Sequence, residues 1–267
     1  MDIKAYSEFV TRSDWTRGRP TSARMSIAQY GIAAEVGSLV SAIKKKLILS
    51  GDFDWNVPND EIVEELGDII WYTELLAEAG SVGALNDVLR YDLESLPKEI
   101  ERDVPFKESL DPDNYMTFLT RSRNYTERSA DHVFKDYQDI AILTARTEGR
   151  DLLHVCLTRL MFYATVMMSK GFPQVEKLMQ RDILDLPLAR ALGLIMWHVS
   201  AIAGLYSKTL DEVVDFNVNK LNELSNVDQN SPTPLHDELD EVPVSQRFPR
   251  QFDVAFVTVG KAGCRCT

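Results

Sequence analysis

The sequence predicts an all-α protein. Apolar residues recur three and four positions apart along most of the chain, for example at Ile32, Val36 and Leu39. This is the period of an amphipathic helix rather than the alternation of a strand. Glycine is also sparse, at 13 of 267 residues. Only FDVAFVTV (252–259) alternates in the manner of a strand.

Start and stop signals divide this pattern into helices. Ser50-Gly51 is expected to end the first long helix, and Asn59-Asp60 is expected to cap the next. The short run Ser81–Gly83 separates that helix from a third. The predicted helices span about 22–48, 60–79, 84–101, 134–147, 151–171, 186–206 and 209–226.

Two segments interrupt the helical pattern. Residues 103–133 are polar and contain Pro105 and Pro112, so we expect a connector there. From Asp228 onward the chain carries four of its 11 prolines, and a helix cannot run through them. Residues 228–267 are therefore predicted to form a largely extended C-terminal arm.

Charge and composition narrow the function classes. Twenty-nine basic against 41 acidic residues give a net charge of −12, which disfavours duplex nucleic acid as a partner. No stretch reaches the roughly 18 uncharged apolar residues of a membrane span, and the N-terminus lacks the layout of a signal peptide. We therefore expect a cytoplasmic protein with no membrane contact. The three cysteines form neither a disulfide framework nor a zinc pattern, and Cys156 is expected in the core.

The helical pattern repeats within the chain. ELGDIIWYTELLAEAG (65–80) aligns with ALGLIMWHVSAIAGLY (191–206), sharing Leu, Gly, Ile and Trp in one register. KAYSEFVTRS (4–13) resembles KDYQDIAILT (135–144), and 26–45 can be laid on 151–170 by pattern only. We interpret residues 1–102 and 134–227 as tandem copies of one helical unit that pack as an internal pseudo-dimer. The alternative is that amphipathic helices look alike by chance.

Three acids fall on apolar stripes. Glu65 and Asp68 are three apart and share one helix face, and Glu35 lies between Ile32 and Leu39. An unpaired charge there would be costly, so a cation is expected to compensate. Three carboxylates facing one another suit Mg²⁺ or Mn²⁺. Acids at this spacing on a solvated face are the alternative.

The segments GIAAEVGSLVSAIKKK and EELGDIIWY resemble the MazG-like all-α nucleoside triphosphate pyrophosphohydrolases, which are related to the dimeric dUTPases. The resemblance extends over most of residues 4–101. It implies that Glu35, Glu65 and Asp68 bind Mg²⁺ and serve catalysis, and that a nucleoside triphosphate is split into monophosphate and pyrophosphate. The second acid of the family motif falls on Ser38. This departure predicts that one metal is lost or loosely held, and that the rate falls or the site is inactive.

The second copy departs further from the motif. Leu160, Tyr163, Ala191 and Leu194 stand at the four acid positions, so no metal site is expected there. The family's nucleotide-binding Asn-x-x-Lys element is matched instead by Asn217 and Lys220, where the first copy has Asp92 and Ser95. The resemblance thus implies one composite site, with acids from the first copy and Asn and Lys from the second. Lys220 as a solvated helix lysine is the alternative.

Two further lysines complete the predicted substrate contacts. Lys44 and Lys45 belong to a run of three, of which a helix can direct one or two towards phosphates. The predicted reaction is the hydrolysis of an NTP or dNTP to the monophosphate and pyrophosphate. The rival is a catalytically silent nucleotide sensor or interaction scaffold. A homo-oligomer, the preferred base and sugar, and the biological role stay open.

Overall fold

The computed structural model describes residues 1–51, 60–128, 132–169 and 186–228, without the side chains of 224–228. Its described secondary structure is helical, and the β contact in it is an isolated bridge between Asp2 and Val133. A 3₁₀ turn at Ile142–Thr144 follows the seventh helix. The α-helices are α1 (Ile3–Ser13), α2 (Thr21–Ser50), α3 (Asp60–Ala79), α4 (Leu85–Arg102), α5 (Val104–Glu108), α6 (Pro112–Glu127), α7 (Phe134–Ala141), α8 (Gly149–Ser169), α9 (Leu188–Leu205) and α10 (Leu210–Asp228).

The predicted all-α class is confirmed for the described residues, and the long helices lie close to their expected bounds. Helix α2 ends at Gly51, whose φ of +73° suits glycine and whose N–H donates to the Leu47 carbonyl. Helix α3 begins with Asp60 and Glu61, acids that complement the positive end of a helix dipole. The expected strand at 252–259 and most of the C-terminal arm lie outside the described residues.

The segment 103–133, expected as a connector, contains two helices. Pro105 and Pro112 fall in the first turns of α5 and α6, where proline removes no helical hydrogen bond. The Asp111 carboxylate caps α6 by accepting from the Asn114 N–H at 2.9 Å. Helix α6 also buries Phe118 completely. The prolines therefore start helices here, and the segment expected as a connector is largely helical.

The core forms where two helix pairs meet. Helix α2 packs on α3, and α8 packs on α9. The two pairs meet through contacts of α2 with α8 and of α3 with α9. Fully buried aliphatic side chains from all four helices line this contact, among them Leu39, Ile69, Leu160 and Ile195. Helix α4 closes one side against α9. The two helices that carry the acids are thus held by the helices of the second half of the chain.

Residues 1–221 form one compact unit, and Asn222–Thr267 are assigned to a second unit of which the described part is the end of α10. The division of the chain into repeats at 102 and 134 stays a prediction.

Cys156 is fully buried as expected, and burial raises the pKa of its thiol to about 12. Cys264 and Cys266 lie outside the described residues.

Helices α8 and α9 are each long and apolar enough to cross a membrane by length and composition alone. Both helices also contribute to the core. In the most apolar stretch of each helix, 44% of α8 and 67% of α9 is buried inside the molecule. Core helices of soluble proteins have this composition too, so the two helices are weak evidence for a membrane span. The expected cytoplasmic location stays a prediction.

Candidate metal and nucleotide site

The structure brings together the three acids that the sequence singles out. Glu35 projects from α2, and Glu65 and Asp68 project from one face of α3. One carboxylate oxygen from each acid lies within 4.8 Å of the others, and all three side chains are half-buried. This excludes a fully solvated helix face for these residues.

The buried neighbours of the acids explain their position. Ile32, Leu39, Leu66 and Ile69 are all fully buried on the same helices, so α2 and α3 must face each other here. Beside them, Gly31 permits a close approach, because a Cβ at this position would lie 2.4 Å from the Tyr72 ring.

The three acids lie close together and are partly shielded from water, and both effects disfavour their charged forms. Burial raises the pKa of Glu35 to about 8, assisted by its hydrogen bond to Glu65 and by the charge of Asp68. Burial also raises the pKa of Glu65 and that of Asp68. Near neutral pH, one proton is therefore retained in this cluster when no metal is bound.

The donor set fits a hard divalent cation. Oxygen ligands of a single Mg²⁺ lie at about 2.1 Å from it, so any two are at most about 4.2 Å apart. The three oxygens lie within 4.8 Å of one another, so small side-chain rotations bring them into that range. Among the described residues, Glu35, Glu65 and Asp68 are the group of acids, histidines or cysteines close enough to hold a metal ion.

Two side chains of α10 contact the acid cluster. The Asn217 side-chain amide donates to Asp68 Oδ1 at 2.7 Å, and Lys220 Nζ lies 2.5 Å from Asp68 Oδ2. Lys220 also donates to Glu64 Oε1 at 3.0 Å. Burial disfavours the charged ammonium, but the contacts to Asp68 and Glu64 outweigh it and raise the pKa of Lys220. Lys220 therefore supplies a positive charge beside these acids.

The approach of α10 to α3 depends on Gly67. A Cβ at Gly67 would lie 2.8 Å from Asn217 Cβ, closer than side chains pack. Asn217 is completely buried, and the Tyr6 hydroxyl lies 3.4 Å from its Oδ1. Sequence reasoning did not identify Tyr6 or Glu64 as part of the site. Since both are ordinary helix positions, no spacing signal in the sequence indicates their roles.

Three other predicted positions are not part of this acid group. Ser38 is half-buried one turn beyond Glu35 on α2. Lys45 Nζ lies 3.6 Å from Glu61, and both side chains are well exposed. Lys44 is exposed and, nine residues from Glu35, points to the opposite side of α2. The substrate role expected for Lys44 and Lys45 stays a prediction.

A different polar cluster joins α4 to α9, next to positions where the second copy lacks the motif acids. Leu160 and Ala191 are fully buried, in agreement with their apolar character. Asp92, completely buried, accepts a hydrogen bond from the Tyr137 hydroxyl at 2.8 Å and is paired with Arg190. Arg190 also contacts both carboxylate oxygens of Glu99 at 2.6 Å. Arg190 therefore supplies the positive charge of this cluster.

Comparison with protein families, with curated proteins and with solved structures finds no match to this chain. The resemblance to the MazG-like enzymes therefore rests on the motif residues alone.

Proposed function

We propose that this protein is a Mg²⁺-dependent nucleoside triphosphate pyrophosphohydrolase, with Mn²⁺ as an alternative cation. The observation that carries the proposal is the contact of Asn217 and Lys220 with Asp68, 149 and 152 positions away. A set of metal-ligating oxygens and an ammonium group thus meet at one place. A metal–triphosphate complex requires this combination, because it presents both a hard cation and excess negative charge.

Each residue has a distinct task in this account. Glu35, Glu65 and Asp68 would hold the cation, which neutralises the triphosphate and lowers the pKa of the attacking water. A carboxylate oxygen of Glu35 or Glu65 that the cation does not engage would accept the proton of the attacking water. On substrate binding, Lys220 would exchange its contact with Asp68 for one with a phosphate oxygen. Asn217 would hold the Asp68 carboxylate in its orientation.

A pseudo-dimer of two helical units is part of the proposal, and matched contacts support it. Tyr6 reaches Asn217 beside Gly67, and Tyr137 reaches Asp92 beside Gly193. In each half, a Cβ on the glycine would lie 2.8 Å from the Cβ of that partner. Each set joins the first and third helices of one half to the fourth helix of the other. The repeat alignment pairs these same residues.

The two aligned tryptophans also make matching contacts. Trp71 Nε1 donates to Ser13 Oγ at 3.2 Å, and Trp197 Nε1 donates to Thr144 Oγ1 at 3.0 Å. Chance similarity between amphipathic helices explains apolar periodicity, but it does not account for equivalent polar contacts. The agreement supports two copies of one unit that exchange their fourth helices.

The second candidate function is a catalytically silent nucleotide sensor. Two observations favour it: Ser38 replaces one motif acid, and the Lys220 ammonium group pairs with Asp68, one of the predicted metal ligands. Such a protein would bind a metal–nucleotide complex at the same residues without hydrolysis. Ser38→Glu tests whether Ser38 marks a lost ligand, because an added carboxylate one turn from Glu35 should then tighten metal binding or raise the rate.

The test is an assay of the full chain with a panel of NTPs and dNTPs plus Mg²⁺ or Mn²⁺, with pyrophosphate and orthophosphate measured separately. We expect metal-dependent pyrophosphate release that Glu65→Gln and Asp68→Asn abolish while the chain stays folded. Glu61→Gln, on the same helix but exposed, is the matched control. Nucleotide binding without turnover in every reaction would support the silent sensor, and unchanged turnover in both variants would refute the metal site.

A further inference from the structure

Glu74 is a buried acid that the proposed hydrolase does not use. Three acidic side chains are buried among the described residues, at Asp14, Glu74 and Asp92. Asp14 lies 2.7 Å from Arg24, and Asp92 is paired with Arg190. Glu74 is only 3% exposed and forms no ion pair with a described residue. A buried carboxylate without a cation is costly, so the folded chain favours a protonated Glu74.

Glu74 caps the helix that follows its own. It lies on α3, and its Oε2 accepts a hydrogen bond from the N–H of Leu85, the first residue of α4. That N–H has no acceptor within its own helix. Leu85 is completely buried, so water does not replace the carboxyl. Glu74 therefore joins the start of α4 to α3.

The second half satisfies the matching N–H with an uncharged group. Leu210 is the first residue of α10, and its N–H donates to Gln138 Oε1 at 2.9 Å. In the repeat alignment, Gln138 stands at the position of Ser7. Ser200 stands at that of Glu74. The two halves thus place the acceptor on different helices, and the amide shows that this cap needs an oxygen rather than a charge.

The surroundings of Glu74 disfavour its charged form. Burial raises its pKa to about 7, assisted by the charges of Glu78 on α3 and Asp87 on α4. Tyr6 on α1 stays neutral, because burial raises its pKa well above its usual value. The other charged or titratable groups line an open cleft beside Glu74, namely Lys4, Glu8 and Arg12 from α1, Arg17, Arg90 from α4, Arg128 and His132. Within the described part of the chain, none of these basic groups is paired with Glu74.

We propose that Glu74 is a proton-dependent latch between α3 and α4. The protonated carboxyl accepts from Leu85 at little electrostatic cost, whereas loss of the proton leaves a buried charge that exposure to the adjoining cleft would relieve. In the unfolded chain the same carboxyl ionises near its ordinary pKa of 4.5. Unfolding therefore releases a proton between about pH 5 and 7, and the folded state loses stability as the pH rises through this window. The inference needs neither a metal nor a nucleotide.

The test is urea unfolding of the full chain in EDTA at about pH 5, 6, 7 and 8, for the unaltered chain and for Glu74→Gln. The glutamine oxygen accepts from Leu85 without titrating, as Gln138 accepts from Leu210. Relative to Glu74→Gln, the unfolding constant of the unaltered chain should rise about five- to tenfold per unit from pH 5 to 7 and then level off. Glu8→Gln removes an exposed carboxyl from the same cleft and should keep the pH dependence of the unaltered chain. The same pH dependence in the Glu74→Gln and unaltered chains would overturn the proposal.

A second variant transfers the arrangement of the second half to the first. Ser7→Gln/Glu74→Ser places an amide on α1 and a hydroxyl on α3, and it should lose the same pH dependence. Glu74→Ser alone should have a lower urea midpoint than Glu74→Gln at every pH, because Leu85 loses its acceptor. A double variant that keeps the pH dependence of the unaltered chain would refute the latch. Equal stability of Glu74→Ser and Glu74→Gln would refute it too, since the carboxyl would then not cap α4.

Discussion

At the scale of single residues, the acid cluster is a problem of charge. Three carboxylates in a half-buried space would repel one another, and two local features relieve this repulsion in the metal-free protein. Glu35 and Glu65 share a hydrogen bond, and Lys220 contacts Asp68. A divalent cation would have to displace the shared proton and compete with the ammonium group.

The first prediction concerns the pH dependence of metal binding. Because the pKa of Glu35 is about 8 without metal and coordination requires the carboxylate, Mg²⁺ must displace a proton below that pH. The apparent Mg²⁺ affinity should rise about tenfold per pH unit from pH 6 and level off near pH 8. Calorimetry in buffers of different ionisation enthalpy measures the proton released. An affinity that is constant between pH 6 and 8 would contradict the shared-proton cluster.

The second prediction uses glycines that occupy matched helices. Gly67→Ala should destabilise the chain by about 1–3 kcal/mol, because its Cβ would overlap Asn217 and displace α10. Gly193→Ala should cost about as much through Asp92. Gly37→Ala, which meets nothing within 4 Å in α2, should instead stabilise by about 0.5–1 kcal/mol. Urea unfolding measures all three, and equal effects at Gly37 and Gly67 would exclude a close approach of α10.

At the scale of helices, the sequence predicts the elements better than their contacts. Helix α3 was predicted at 60–79 and is observed at Asp60–Ala79, because its first-turn acids and apolar stripe are both local signals. Helix α6 was missed because its polar surface hides a narrow buried stripe that includes Phe118 and Tyr125. A proline at a first helical position starts a helix, whereas the same residue inside one breaks it, and composition alone does not distinguish these cases.

The third prediction concerns the ion pairs that join α9 to α4. Arg190 and Asp92 are both buried, so Arg190→Ala would leave a carboxylate without its partner and should cost about 3–5 kcal/mol. Lys107→Ala, which removes the exposed partner of Glu101, should change the free energy of unfolding far less, because water and salt screen an exposed pair. Chemical denaturation of the two variants compares the pairs. A similar small loss in both would mean that the Arg190 cluster contributes little to the packing of these helices.

At the scale of the whole molecule, the candidate site depends on contacts between distant parts of the chain. Spacing on α3 predicts that Glu65 and Asp68 share a face, and the MazG-like resemblance predicts the importance of Asn217 and Lys220. Neither predicts that α10 crosses α3 at Gly67, since that depends on how complete helices pack. Tyr6 and Glu64 could not be predicted for this reason. Their contacts with Asn217 and Lys220 form only when α1, α3 and α10 pack together.

The most direct test of the shared site is steady-state pyrophosphate release by Lys220→Ala and Asn217→Ala, with Asn219→Ala on the exposed face of α10 as the control. Loss of a charged contact to phosphate should cost about 1.5–3 kcal/mol, so kcat/KM should fall roughly ten- to hundredfold in the Lys220 variant. Its Mg²⁺ affinity should hold or improve, because Asp68 is released from the ammonium group. The Asn219 variant should behave like the unchanged chain. Unaffected kinetics in folded Lys220 and Asn217 variants would show that the second half only supports the acids, and the composite site would be wrong.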